Sequence, residues 1–529
     1  MQPALGRRSL LTAGGLVLGA SSLGLTAPAT ATPVDRRNHG QAVPAGVFTL
    51  GVASGDPLPD GVVIWTRLAP DPLALDGTSG MPATDYEVRW EVAEDARFRR
   101  VVRRGTALAT VAGGHAVHAE IHGLRPDRVY WYRFRAGSQI SPVGRTRTAP
   151  APGTRLSSLA FAFASCQAYY EGYFTAYDHM AAEDLDLVVH LGDYIYEYAS
   201  AGTIGRAHVP AVETYSLSDY RIRYAQYKTD PSLQAAHAAA PWVVSPDDHD
   251  VENNWSREGS EPDQEPDQDP AVFTQRLAAA YQAYYENMPL RRANAAQGPQ
   301  MQVYRRLAFG DLLQLNVLDT RRYRDRQLTA AENDAHRWDP ERQMLGPEQE
   351  SWLLDGLGTS RARWNVLGNQ VFAMEADHTE GEGVRYGSDS WDGYAAARQR
   401  LFDGVLDRGV DNFVMVTGDA HRSTAADLKQ NFADQSSATV GVELLGTSIS
   451  SGRDGTDMDA LGVTWLAENP HMKFHNAQRG YQVVHLDRSS LRCDYKVVPY
   501  VTRAGDPVST RASIHVEAGR PGIAQVDRA

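Results

Sequence analysis

Five apolar segments of strand length each end in a short polar run of groups that bind metals or move protons. Residues 159–164 lead into Ser165-Cys166-Gln167, and residues 185–191 into Gly192-Asp193-Tyr194-Ile195-Tyr196-Glu197. Residues 242–244 lead into Ser245-Pro246-Asp247-Asp248-His249-Asp250-Val251-Glu252-Asn253-Asn254. Residues 364–367 are followed by Gly368-Asn369-Gln370, and residues 413–417 by Gly418-Asp419-Ala420-His421-Arg422. Singly, each run has an ordinary explanation: a cysteine is often a small buried hydrophobe, Gly-Asp a turn, an aspartate a helix cap. Together they read as a metal cluster, because the carboxyl ends of strands in an open α/β sheet share one ligand-binding rim. A thiolate, a carboxylate, a phenolate and an imidazole around one ion suit a trivalent or borderline cation. Carboxylate and amide oxygens alone suit calcium. A carboxylate shared by two ions about 3.5–4 Å apart is the two-metal arrangement of phosphoester hydrolysis.

The elements that must position these groups have a clear order. From 44 to 148 the chain reads as short alternating strands, as in Tyr86-Glu87-Val88-Arg89-Trp90-Glu91-Val92, where apolar and charged residues take opposite faces. About a hundred such residues suggest an all-β sandwich of the fibronectin or immunoglobulin kind. Gly123-Leu124-Arg125-Pro126-Asp127 before Tyr130 resembles the corner found in fibronectin type III domains. Ala149-Pro150-Ala151-Pro152-Gly153 reads as a linker. From 155 to 515 apolar strands, with one more at 312–318, alternate with helical patterns at 273–287, 347–357 and 393–407. That alternation predicts an α/β domain with central sheets flanked by helices. The stretch 258–270, with six acids among three prolines, reads as a solvated acidic insertion.

Composition narrows the function classes. The 529 residues carry 52 Lys plus Arg against 65 Asp plus Glu, a net charge of −13, with no basic run to bind nucleic acid stably through its backbone. Hydrophobic residues at 42% exclude general disorder. Two cysteines cannot build a disulfide scaffold, although Cys166 paired with Cys493 is conceivable in an oxidising compartment. The first 31 residues have only Arg7 and Arg8 as charges, then an apolar run rich in small residues, then Ala29-Thr30-Ala31. This reads as a cleaved leader, too short and polar to span a bilayer. The arginine pair resembles a twin-arginine signal, which engages the export machinery that carries folded proteins. The expectation is a secreted, extracellular or cell wall-associated protein with no transmembrane segment after processing.

Gly192-Asp193-x-x-Tyr196 resembles the motif of purple acid phosphatases. The two later motifs lie where metallophosphoesterases carry Gly-Asn-His-Glu and Gly-His-x-His. The departures, Cys166 for an aspartate and Asp419 for a histidine, resemble the PhoD-like alkaline phosphatases, as does Asp247-Asp248-His249 with Asn253-Asn254. The resemblance implies a ferric ion on Cys166, Asp193, Tyr196 and His421, with Asp193 bridging to calcium, of which two ions are expected. Asp419 and the amide of Asn253 or Asn254 belong to the calcium side. Asp248 aligns as a ligand and His249 as a phosphate contact. Asn369 and Gln370 are outer candidates. Arg422 either orients phosphate or points to solvent. The implied activity is hydrolysis of phosphomonoesters or diesters by metal-activated hydroxide, with His249 and Asp193 catalytic and His249, Asn254 and Arg422 on the substrate. Two alternatives are compatible with the same residues: a metal-dependent phospholipase D acting on phosphatidylcholine, and a secreted binding protein with a degenerate hydrolase domain.

Overall fold

A computed structural model describes residues 42–257 and 259–529. The arginine pair and the small-residue site at 29–31 lie outside the described residues. Two mixed sheets pack face to face. The first has ten strands in the order Gln525–Arg528, Ser509–Glu517, Ser490–Val498, Arg479–Asp487, Ser158–Ala164, Leu187–His190, Trp242–Val244, Val52–Leu58, Gly61–Arg67, Ala116–Ile121. The second has seven: Arg305–Phe309, Leu313–Val317, Trp364–Asn369, Phe413–Thr417, Thr439–Leu445, Ser423–Lys429, Met472–Asn476. Between them lies a core that draws Phe161, Phe163, Val189 and Leu191 from one sheet and Leu315, Val317, Val366, Val414 and Leu444 from the other. Each sheet buries its second face under helices. Thr175–Ala182, Leu217–Lys228, Pro231–Ala239 and Pro270–Asn287 cover the first, and Gly346–Gly358 and Ala395–Asp407 cover the second. Burial on both sides explains why these strands read as continuous apolar runs rather than as alternating ones.

The helices start where local chemistry starts them. Asp230 and Asp269 each accept backbone N–H groups of the first turn, and each is followed by proline, whose missing N–H costs nothing there. Ser216 and Asp219 form a reciprocal capping box at the start of Leu217–Lys228.

The sandwich reading of 44–148 is correct in strands and corrected in pairing. Tyr86–Ala93, Val101–Ala109, Val129–Ala136, Gln139–Ile140 and Gly144–Arg147 form a small sheet of their own. The facing layer is the end of the ten-stranded sheet, since Gly55 pairs in parallel with Trp242. Val62, Ile64, Val117 and Ile121 meet Val88, Val92, Tyr132 and Phe134 in the core between them. Residues 43–529 therefore form one unit. Period-two alternation shows which face a residue takes but not which strand lies alongside, so the shared sheet was invisible to it. The corner at Tyr130 is present: its hydroxyl accepts the Arg125 N–H at 2.9 Å. Residues 149–153 are no free linker, because Ala149 is buried in the inter-sheet core and its N–H donates to Leu58 O. Pairing of Ser509–Glu517 with Gln525–Arg528 carries the fold past 515, nearly to the last residue.

The acidic insertion is also corrected. Asp263 and Asp269 are exposed, but Asp267 is buried and accepts from Arg276 Nη1 at 2.6 Å. Arg276 also bonds Glu213 and Tyr220, and Glu261 reaches back to Asn253 and Asn254. Composition marks such a segment as polar, but it cannot show a buried arginine on the next helix waiting for one of its acids.

Candidate metal centre

The polar runs after residues 164, 190, 244 and 417 meet at one rim, and the backbone shows how closely. Cys166 N–H donates to Gly192 O, Gln167 N–H to Asp193 O and Ile449 N–H to Ser165 O, while Ser165 and Ser448 form a bridge joining the two sheets. Two glycines permit the approach. A Cβ on Gly192, whose φ is +107°, would lie 2.2 Å from Asp247 Cβ, and one on Gly418 would lie 2.5 Å from Ser165 Oγ. Five of the residues singled out above hold left-handed backbone despite their side chains: Cys166, Asp193, Asn254, Asp419 and His421, at φ from 52° to 67°. Such conformations are uncommon outside glycine, and they cluster where function over-determines the chain.

Besides Glu252, Glu261 and Asp263 in the connection that follows, three groups of donors at this rim have ligand atoms within 4.8 Å of one another and could each hold a cation: Cys166, Asp193 and His421; Asp193, Asp248 and His249; Asp247, Asp248 and Asp419. Asp193 belongs to the first two and Asp248 to the last two. Tyr196 joins the first group, its hydroxyl 3.2 Å from Asp193 Oδ2, 3.1 Å from His421 Nε2 and 2.7 Å from Ser451 Oγ. His249 packs against Tyr196 with ring centroids 4.2 Å apart and planes tilted by 31°, and its Nδ1 lies 2.8 Å from Glu197 Oε2. Glu197 also accepts the Asn253 N–H, and Asp248 Oδ2 the Asn254 N–H. Nε2 is then the imidazole nitrogen left for the site.

Charge in this rim is unbalanced. Burial pushes the Asp193 and Asp419 carboxyls well above their ordinary range, with neighbouring aspartates adding to the push. Burial moves Asp247 up to about 6 against the pull of Arg321. Burial and then Asp193 raise the Cys166 thiol and the Tyr196 phenol. His421 falls to about 3 through burial first and then Arg479. His249 moves the other way: burial opposes its charge, but Glu197 and Asp193 outweigh that and raise it. Arg321 beside Asp247, Asp248 and Asp419 offsets only part of this buried negative charge, and Asp193 Oδ1 and Asp247 Oδ2 have no hydrogen-bond partner. A bound cation satisfies both demands, so the donor set fits the metals that a thiol, phenol, imidazole and carboxylate cluster attracts.

Comparison with known proteins gives this arrangement a family. Residues 161–495 match the model of the PhoD-like phosphatase, and residues 34–150 that of the PhoD-like phosphatase N-terminal domain. Alkaline phosphatase D of Bacillus subtilis (strain 168) is 47% identical over 534 residues, covering 98% of this chain and 89% of the relative. A solved structure of PhoD superposes with a TM-score of 0.88 at 46% identity, covering 93% of this chain and 94% of the other. The chain belongs to the PhoD-like phosphatase family. It is a phosphoric ester hydrolase, and its substrates are phosphate esters.

For a PhoD-like phosphatase the remaining sequence expectations fall into place unevenly. Arg422 turns aside: its Nε donates to Asp459 Oδ2 at 2.8 Å and its Nη1 to Ala420 O. Asn253 and Asn254 both donate their side-chain N–H groups to Glu261. Asn369 and Gln370 serve the strands beneath the rim, Asn369 bonding Val371 O and Gln370 bonding Leu318 O. Cys166 and Cys493 are both free and buried. Among the described residues no helix is long and apolar enough to cross a membrane. Three functional groups escaped the sequence reading. Glu197 lay inside a quoted run without a role. Arg321 follows the strand at 312–318, whose carboxyl end went unread although it opens on Asp319-Thr320-Arg321. Asp389 sits in a long connection with no periodic signal at all.

Proposed function

We propose that this phosphatase works with one ferric ion on Cys166, Asp193, Tyr196 and His421 and with two calcium ions. Asp193, Asp248, Asp419 and the Asn253 amide oxygen serve the calcium side. The observation that carries the reading is the position of Asp193, shared between a thiol–imidazole–phenol group and the Asp193–Asp248–His249 group, which Asp248 in turn joins to the all-acid group. When bound, such cations neutralise phosphate oxygens and lower the pKa of a coordinated water. The protein does the rest. Glu197 fixes the tautomer and direction of His249, whose Nε2 donates to a phosphate oxygen and holds the ester as charge builds on it. Ser451 donates to the Tyr196 oxygen and keeps that ring in register with Asp193 and His421. Walls of Tyr196, Tyr198 and His249 limit water around the ester.

Tyr196→Phe tests the ferric assignment. The parent is expected to absorb visible light through phenolate-to-iron charge transfer and to contain iron and calcium by elemental analysis. The variant is expected to lose the band. A colourless, iron-free parent with full activity, or one holding zinc alone, overturns the ligand set. A panel of monoesters and diesters, with phosphate release compared against choline release from phosphatidylcholine, resolves the substrate class.

The leader supports secretion by the twin-arginine route, since that route carries proteins already folded around their cofactors. Changing Arg7 and Arg8 to lysine together is expected to leave the protein inside the cell, as read by activity in cell fractions. Undiminished export of that variant rules the route out.

A further inference from the structure

The Arg321 guanidinium is fully buried and faces carboxylates on every side. Its Nε donates to Asp247 Oδ1 at 2.5 Å, Nη1 to Asp389 Oδ1 at 2.7 Å and Nη2 to Asp419 Oδ1 at 3.1 Å, with Asp248 Oδ1 3.2 Å from Nη2. Its own backbone is pinned by Asp319, and Arg324 Nη1 shares the Asp389 oxygen at 2.7 Å. Three of those partners, Asp247, Asp248 and Asp419, are the all-acid group whose oxygens lie close enough to hold a cation. Each of its three nitrogens is thus engaged by at least one aspartate, which orients the guanidinium toward the acids. A planar fork of five donors can hold several carboxylates at set angles, which a lysine ammonium cannot.

We propose that Arg321 is a positioning residue that acts as a built-in counter-cation. It occupies one side of the Asp247–Asp248–Asp419 group, fixes the spacing of the three carboxylates and limits how many divalent ions the group accepts. This inference rests on the metal-site reading above, and its test is chosen so that the two can fail separately. Iron-loaded protein stripped of calcium with a chelator is titrated with calcium alone by calorimetry, and melting is followed with and without calcium.

Arg321→Gln removes the charge and is expected to bind one more calcium per chain than the parent. Its melting temperature is expected to rise more on calcium addition than the parent's does. Arg321→Lys keeps the charge without the fork, so it should keep the parent stoichiometry but bind calcium roughly 10–100-fold more weakly, the usual loss when a ligand's supporting partner is removed. Should Arg321→Gln fail to fold, the lysine variant decides alone. Parent stoichiometry and calcium response in the glutamine variant, or parent affinity in the lysine variant, overturn the proposal. A parent that binds no calcium overturns instead the metal-site reading on which it rests.

Discussion

Asp193→Asn is expected to abolish phosphatase activity, with kcat/KM falling roughly a thousand-fold or more. The carboxylate serves two donor groups at once, so the substitution removes a charge from both and weakens whatever cations they hold. Several kcal/mol of charge stabilisation at the transition state depend on such cations, and each loss of about 1.36 kcal/mol is tenfold in rate. The same change should make metal-free protein more stable, because burial already penalises the Asp193 charge and an amide occupies that space without it. Thermal melting in chelator, read beside the rate assay, separates the two effects. Near-parental activity with parental metal content would sink the bridging role.

The second large effect concerns His249 and Glu197. His249→Ala removes an imidazole that packs against Tyr196 and is oriented by a buried carboxylate. A loss on the order of 10²–10⁴ in kcat is expected, the range for removal of a positioned acid–base group. Glu197→Gln is milder and more informative. Glu197 raises the His249 pKa against the cost of burial, so the imidazolium persists to higher pH than an isolated histidine allows. Any alkaline limb in the pH profile that depends on this proton should move toward lower pH in Glu197→Gln. A limb that stays in place, or moves upward, argues that His249 acts as a neutral ring.

Much of this centre was legible before any coordinates, and the reason is local. Cys166, Asp193, Tyr196, Asp248, His249, Asp419 and His421 each sit within a few residues of the end of an apolar strand. Strands that terminate at one rim bring such residues together however the rest of the chain runs. The helices at 273–287, 347–357 and 393–407 were readable for the same kind of reason, and the structure moves their ends by three residues or fewer. The late strands between 423 and 528 carry no motif of their own and went unread.

What the sequence determined by itself was therefore an inventory up to the strand at 413–417: the strands that end in polar runs, the main helices and the chemistry those polar groups share. Tertiary structure alone decided the partners. It joined the N-terminal strands to the ten-stranded sheet, buried Asp267 against Arg276, turned Arg422 toward Asp459 and set Arg321 among Asp247, Asp248, Asp389 and Asp419. Each of these pairs residues at least nine apart, and most are more than thirty apart. Periodicity and turn chemistry act over a few residues, whereas the energy of a buried charge depends on what the whole chain places within 3–4 Å of it.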